Sequence, residues 1–261
     1  MARIGFIGLG RMGSALLKGF TARGLISIGD VVGYDKNLSA VEKMGAASRY
    51  SAFEVVECSD VIFLCVKPKD MGDVLDEIRD IAGSRLIISI AAGISTRKIE
   101  SKLKEARVIR VMPNTPAVIN EMAAAYCLGR RALEEDAVMV ADMLSSVGIA
   151  FRVQESKMDA VTGLSGSGPA YVYYLIKAMT AAGVKQGLSE EVSLNLTLQT
   201  FRGATDMVIV TKRDPVDLIG EVTSPGGTTL AGLKMLDRRK VDKAISDTVA
   251  AATKRSRELG K

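Results

Sequence analysis

Short continuous apolar runs alternate with segments of helical spacing over the first 153 residues of the chain. The runs Ile4-Gly5-Phe6-Ile7, Val31-Val32-Gly33-Tyr34, Val61-Ile62-Phe63-Leu64-Cys65-Val66, Leu86-Ile87-Ile88-Ser89-Ile90 and Val108-Ile109-Arg110-Val111-Met112 predict strands buried on both faces of a parallel sheet. Between them, Leu38, Val41 and Met44, then Met71, Val74, Leu75, Ile78 and Ile81, then Ile99 and Leu103 fall on single helical faces. Ser95 or Thr96 can cap the last of these helices. Residues 123–127 predict another strand and 133–144 a helix with Glu134, Glu135 and Asp136 in its first turn. Residues 149–153 predict a last strand. Strand and helix in alternation predict an α/β fold with a doubly wound sheet.

After Ser156 no run has buried-strand character and helical spacing takes over. Ser156 followed by Asp159 has the form of a capping box, and Pro169 can open a helix carrying Tyr171, Tyr174, Leu175, Ala178 and Met179. Ser189 with Glu190 and Glu191 predicts the start of a second helix, and Asp214-Pro215 the start of a third. Val241, Ala244, Ile245, Thr248, Val249 and Ala252 form one stripe of a final helix. The boundary is set near Gln154, with domain one spanning 1–154 and an all-helical domain spanning 155–261. Several apolar stripes on so few helices predict a second copy of the chain as their cover, with packing inside one chain as the alternative.

Composition narrows the chemistry. The 261 residues are 48% hydrophobic but only 5% aromatic with no Trp, so the core is aliphatic and Met-rich. The net charge of +5 suits anionic ligands, yet Lys and Arg are dispersed and gather only at Arg238-Arg239-Lys240, which argues against nucleic acid as a partner. Cys58, Cys65 and Cys127 have no metal-ligand spacing and leave one unpaired in any disulfide scheme, as expected for a protein of the reducing cytoplasm. No stretch of eighteen uninterrupted apolar residues occurs, and neither a membrane span nor an export signal is expected. The chain has no His, so the commonest general base and zinc ligand are missing; no metal is expected.

The first strand ends in Gly8-Leu9-Gly10-Arg11-Met12-Gly13 and opens into a helix. In that context Gly8 permits a tight turn, Gly10 admits a pyrophosphate against the backbone, and Gly13 lets the helix pack on the strand. The second strand ends at Asp35, at the spacing where a carboxylate meets the adenosine ribose. Asp35 should favour NADH by repelling a 2′-phosphate without strictly excluding NADPH, since the adjacent Lys36 can partly neutralise Asp35 or contact the phosphate. Three further loops follow strand ends and should border the cofactor: Val66-Lys67-Pro68, Ala91-Ala92-Gly93 and Met112-Pro113-Asn114-Thr115-Pro116. Asn114 is a candidate to hydrogen-bond a carboxamide or an anion, although these prolines also serve simply to stop strands. The small residues of Gly163-Leu164-Ser165-Gly166-Ser167-Gly168-Pro169 interrupt helical sequence and allow close approach of a ligand or of another helix. Ser224-Pro225-Gly226-Gly227-Thr228-Thr229 precedes a helix and offers N–H groups and hydroxyls to an anion; an ordinary capping loop is the alternative.

These motifs, in this order, resemble the pyrroline-5-carboxylate reductases. The resemblance runs from Ile4 through the glycine loop, Val66-Lys67-Pro68, Ser89-Ile90-Ala91-Ala92-Gly93 and Met112-Pro113-Asn114-Thr115-Pro116-Ala117 to the glycine-rich segments at 163–171 and 224–229. It departs from the family pattern at Met122, where a glycine is usual, and at Lys240-Val241, where Gly-Phe is usual. It implies an N-terminal Rossmann-type domain, an all-helical C-terminal dimerisation domain, and reduction of 1-pyrroline-5-carboxylate to L-proline by NADH or NADPH. A higher oligomer built of such dimers is a further implication of the resemblance. Gly8, Gly10, Arg11, Met12, Gly13, Asp35, Lys36, Val66, Lys67, Pro68, Ala91 and Asn114 are the expected cofactor contacts. Ser224, Gly226, Gly227, Thr228 and Thr229 are expected to hold the substrate, with the Thr229 hydroxyl on its ring nitrogen. The opening motif is shared with β-hydroxyacid dehydrogenases, but where their catalytic Lys follows the second-domain glycines this chain has Val172. A cofactor-binding redox sensor without turnover is the non-enzymatic alternative, and the anion loop at 224–229 argues against it.

Overall fold

The computed structural model describes residues 3–260. The glycine turn joins β1 (Ile4–Ile7) to α1 (Arg11–Ala22), followed by β2 (Val31–Tyr34), α2 (Leu38–Glu42), β3 (Ala47–Ser48) and α3 (Ala52–Glu57). The alternation continues through β4 (Val61–Leu64), α4 (Met71–Ile78), β5 (Leu86–Ser89), α5 (Thr96–Lys102) and β6 (Arg107–Met112). β7 (Met122–Leu128), α6 (Glu134–Ser145) and β8 (Gly148–Arg152) complete a single sheet ordered β3-β2-β1-β4-β5-β6-β7-β8. Every neighbouring pair is parallel except β6 and β7. Their link is a 3-10 turn, Thr115–Ile119, ending in Asn120 at φ 60, too short for the helical crossover that a parallel return requires. The two-residue edge strand β3 was absent from the apolar pattern because Ala47 and Ser48 are not part of an apolar run.

Alternate residues of each strand feed opposite faces, which divides the continuous apolar runs between two cores. Phe6, Phe63, Ile88 and Ile109 pack with Leu16, Leu17 and Phe20 of α1 and Met143 and Leu144 of α6. Ile7, Ile62, Leu64, Ile87 and Val108 pack with Val55, Leu75, Ile78 and Ile99 of α3, α4 and α5. Phe6 and Phe63, partners across β1 and β4, stack with ring centroids 4.8 Å apart. β2 and β3 lie to one side of β1 and β4 to β8 to the other, so the winding direction reverses between β1 and β4. A crevice opens there at the strand C-termini.

Beyond β8 the chain is helical: α7 (Met158–Val161), α8 (Gly168–Lys185), α9 (Glu190–Thr211), α10 (Pro215–Glu221), α11 (Thr228–Arg238) and α12 (Val241–Leu259). Side-chain caps at Ser95, Ser189 and Asp214 stand where the sequence predicts them, accepting from the N–H groups of Lys98, Val192 and Val216. The expected cap at Ser156 is not formed. Gln154 precedes a 3-10 turn over Glu155–Lys157, and the Asp159 carboxylate accepts instead from Ser256 Oγ at 2.7 Å. The segment 163–169 is helical except at Ser167: Thr162–Gly166 forms a π turn after α7, and α8 starts at Gly168. None of the helices is long and apolar enough to cross a membrane, among the described residues.

Two compact units result. One holds the described residues up to Pro169 together with those from Val249 onward, and the other is Ala170–Thr248. In the second unit no apolar residue is buried, and the buried positions are Ser193 and Thr197. Leu196, Ile209, Val210, Val216 and Tyr174 are all more than half exposed. A folded helical unit with this much bare apolar surface requires a covering partner.

Candidate active site

The crevice is built from the glycine turn outward. Gly8 sits at φ +93, a left-handed conformation, and a side chain there would run into the Cys65 and Val66 backbone. Its N–H donates to Tyr34 O at 2.8 Å, and Cys65 N–H donates to Ile7 O at 2.8 Å, which ties the ends of β1, β2 and β4 together. Gly10 is the N-cap of α1; no side chain caps that terminus, and the space where a Cβ would stand is open. α1 therefore presents unsatisfied N–H groups to a backbone with room against it, the arrangement that receives a pyrophosphate. The residues present fit a dinucleotide on this observation.

The cleft encloses about 490 Å³ and is lined by Gly8, Gly10, Asp35, Lys36, Val66 and Lys67 together with residues of the turn that follows Lys67. Asp35 is held by two backbone donors: Leu9 N–H on Oδ2 at 2.7 Å and Asn37 N–H on Oδ1 at 2.8 Å. The carboxylate thus locks the glycine loop onto the end of β2 with acceptor capacity left on each oxygen. Lys36 does not pair with Asp35, as one sequence-based alternative held. Its ammonium lies 2.8 Å from Asp70 Oδ1, and this hydrogen bond above all raises the lysine pKa and lowers that of Asp70. Asp70 and Asp73 were missed by motif reading, although they sit just past a strand C-terminus, where ligands gather in this fold.

The remaining predicted contacts occupy other positions. Arg11 borders a neighbouring depression with Lys18 and Asn120. Ala91 is buried in the core beneath α4 and α5, while Gly93, at φ +76, lies against Leu259 Cβ at the end of α12. Asn114 is also buried: its Oδ1 accepts from Ala123 N–H at 2.9 Å and its Nδ2 donates to Ser165 O at 3.2 Å. Its amide thus pins the start of β7 to the π turn. At that turn a side chain on Gly163 would collide with the Val249 carbonyl and the Thr253 backbone, so a tight helix crossing accounts for this glycine. Below it, Arg110, almost fully buried, donates to Glu155 Oε1 at 2.6 Å, and Glu155 Oε2 accepts from Thr96 Oγ1 at 2.6 Å and from Cys127 Sγ at 3.4 Å. Burial works to raise the Glu155 pKa, but the hydrogen bonds from Thr96 and Arg110 outweigh it and hold the value low. Burial and the Glu155 charge push the Cys127 thiol up to about 12.

The second unit carries the other cluster. Gly227 N–H donates to Ser224 O at 3.0 Å across Pro225 and Gly226, and Gly226 takes φ +76, as a turn with proline then glycine at its centre requires. Gly227 is the N-cap of α11, no side chain caps it, and no acidic residue occupies the first turn. Thr228 and Thr229, the first two residues of this uncapped terminus, are exposed. A larger groove of about 710 Å³ lies beside Ile4 and Met143, at the start of β1; aliphatic side chains line it together with Asp30, Glu134, Glu135 and Asp142, and it includes neither a glycine loop nor a strand C-terminus.

The chain is 40% identical over 267 residues to a pyrroline-5-carboxylate reductase of Methanosarcina acetivorans, covering 99% of this chain and 98% of the relative. It is 38% identical over 260 residues to one from Pisum sativum, covering 98% and 95%. The chain belongs to the pyrroline-5-carboxylate reductase family. A family model described as pyrroline-5-carboxylate reductase dimerisation matches residues 155–259, and one described as NADP oxidoreductase coenzyme F420-dependent matches residues 3–93. The crystal structure of a Plasmodium falciparum pyrroline carboxylate reductase with NADP bound superposes with a TM-score of 0.91 at 35% identity, over 100% of this chain and 98% of that one. The Rossmann-type sheet and the helical C-terminal region are the architecture of this reductase family, and the bare helical surface lies in its dimerisation region.

Proposed function

We propose that the chain reduces 1-pyrroline-5-carboxylate to L-proline with NADH or NADPH. The observation that carries this reading is the presence, in one chain of this family, of two uncapped helix N-termini behind glycine turns, α1 after Gly10 and α11 after Gly227. The first suits a dinucleotide diphosphate and the second a small carboxylate. We assign residues 1–154 to the cofactor and 155–261 to substrate binding and dimerisation, with further assembly of dimers. Cys58, Cys65 and Cys127 are free thiols, in keeping with a cytoplasmic enzyme.

The bound cofactor supplies a hydride. The protein's share is placement: the Gly8 to Gly13 turn and the α1 N–H groups seat the diphosphate, and Asp35 offers its remaining acceptor capacity to a ribose hydroxyl. Ser224 and the N–H groups of Gly226, Thr228 and Thr229 hold the substrate carboxylate, while the Gly227 N–H is spent on Ser224 O inside the turn and shapes it. The Thr229 hydroxyl hydrogen-bonds the ring nitrogen, which takes up a proton from water as the imine carbon is reduced. A reaction that ends with a protonated ring nitrogen needs orientation and one hydrogen-bond partner more than a strong base, so a chain without His can perform it. Purified protein supplied with pyrroline-5-carboxylate and NADH or NADPH should oxidise the cofactor and release proline in equal amounts. Absence of turnover with both cofactors would refute the assignment.

A further inference from the structure

Two walls of the cleft meet through one ion pair. Lys36 directly follows Asp35 at the end of β2, and Asp70 ends the 3-10 turn Pro68–Asp70 after β4. The turn is fixed by Pro68 and by Asp70 N–H donating to Lys67 O at 2.9 Å. The Asp70 side chain is 24% exposed and that of Lys36 is 75% exposed, so a seated carboxylate captures a solvent-exposed cation. Asp73 and Glu77 line the same wall and add no positive charge, while Lys67 and Lys69 on the turn help to keep Asp70 ionised.

We propose that Asp70 is a positioning residue for cofactor choice: by pairing with Lys36 it withholds that ammonium from a 2′-phosphate and so tilts the protein toward NADH. The inference rests on the reading of this cleft as the adenosine side of the dinucleotide site. A 2′-phosphate brings roughly two negative charges beside Asp35. To gain Lys36 it must break the Asp70 pair and leave that carboxylate unpaired. A ribose 2′-hydroxyl needs only an acceptor, which Asp35 provides, so it leaves the pair intact.

Calorimetric titration of the intact protein at low salt with 2′,5′-ADP and 5′-AMP reads the effect without turnover. Asp70→Asn should raise the preference for 2′,5′-ADP over 5′-AMP by about fivefold, the scale of one exposed ion pair. Asp70→Glu should return the ratio toward wild type, and the kcat/KM ratio for NADPH over NADH should follow the same order. In a Lys36→Met background, Asp70→Asn should move the ratio by less than about twofold. A gain that persists in that background overturns the proposal, because Asp70 would then act through its own charge alone. An unmoved ratio in Asp70→Asn overturns it as well. Failure of the wild type to bind either nucleotide defeats the adenosine-site reading itself, and the Asp70 proposal with it; binding of both with an unmoved ratio defeats only the latter.

Discussion

At the residue scale the proposed reaction rests on the exposed Thr229 and the firmly held Asp35. Thr229 occupies the first turn of α11, where its hydroxyl is free of a capping duty because Gly227 is the N-cap. On the proposed assignment, Thr229→Ala leaves the helix terminus intact and removes one donor from the reacting nitrogen. Turnover should fall roughly 10²-fold while the dissociation constant for the cofactor, measured by fluorescence titration, stays nearly constant. A wild-type kcat would remove Thr229 from the reaction. Asp35 carries two duties, holding Leu9 N–H of the glycine loop as well as facing the cleft, and sequence spacing announced only the second. Lys240, at φ +52 where the family usually places glycine, occupies the left-handed turn between α11 and α12 at a steric cost of about 1 kcal/mol. Met122, the other departure, is extended and buried at the start of β7, and the left-handed position of that turn falls on Asn120.

At the element scale one joint between strands and helices is polar, with Arg110 buried and its carboxylate partners partly so. Arg110 on β6, Glu155 after β8 and Thr96 at the start of α5 form one network; Asp159, which accepts from Ser256 of α12, lies 4.0 Å from the Arg110 guanidinium. Glu155→Gln would leave the Arg110 guanidinium buried beside a neutral amide. It should cost about 2 to 4 kcal/mol in urea unfolding at fixed protein concentration. Because the folded-state pKa of Glu155 is lowered, its contribution is present above the ordinary glutamate value near 4.3 and is lost as pH falls through the lowered value. The stability gap between wild type and Glu155→Gln should therefore be constant near neutrality and narrow below about pH 4. A gap independent of pH down to the acid transition would show that Glu155 does not carry the charge of the network. Strand positions were legible in the sequence because buried parallel strands are continuous apolar runs. The network was not, since Arg110 lies inside such a run and its partners are 45 residues or more away along the chain.

At the scale of the whole molecule, the sheet has two closed cores and the helical unit Ala170–Thr248 has none of its own. The stripes read from residues 156–261 were expected to need a second copy, and they fall in the dimerisation region of the family. Sedimentation equilibrium at micromolar concentration should show no monomer, and the urea midpoint should rise with protein concentration, as for any fold completed by its partner. A monomer with an unchanged helical signal at that concentration would contradict this.

Sequence by itself determined the alternation of strand and helix, the glycine turn with its acidic partner, the helix starts at Ser95 or Thr96, Ser189 and Asp214, and the glycine turns ahead of α1 and α11. These are local features, set by spacing, side-chain volume and the donors at helix ends. Tertiary structure decided the antiparallel turn into β7, the continuation of 162–166 as a π turn against α12, the use of Asn114 as a brace and the capture of Lys36 by Asp70. Each of these depends on which groups from distant segments come within hydrogen-bond or van der Waals reach, and distance along the chain carries no record of that.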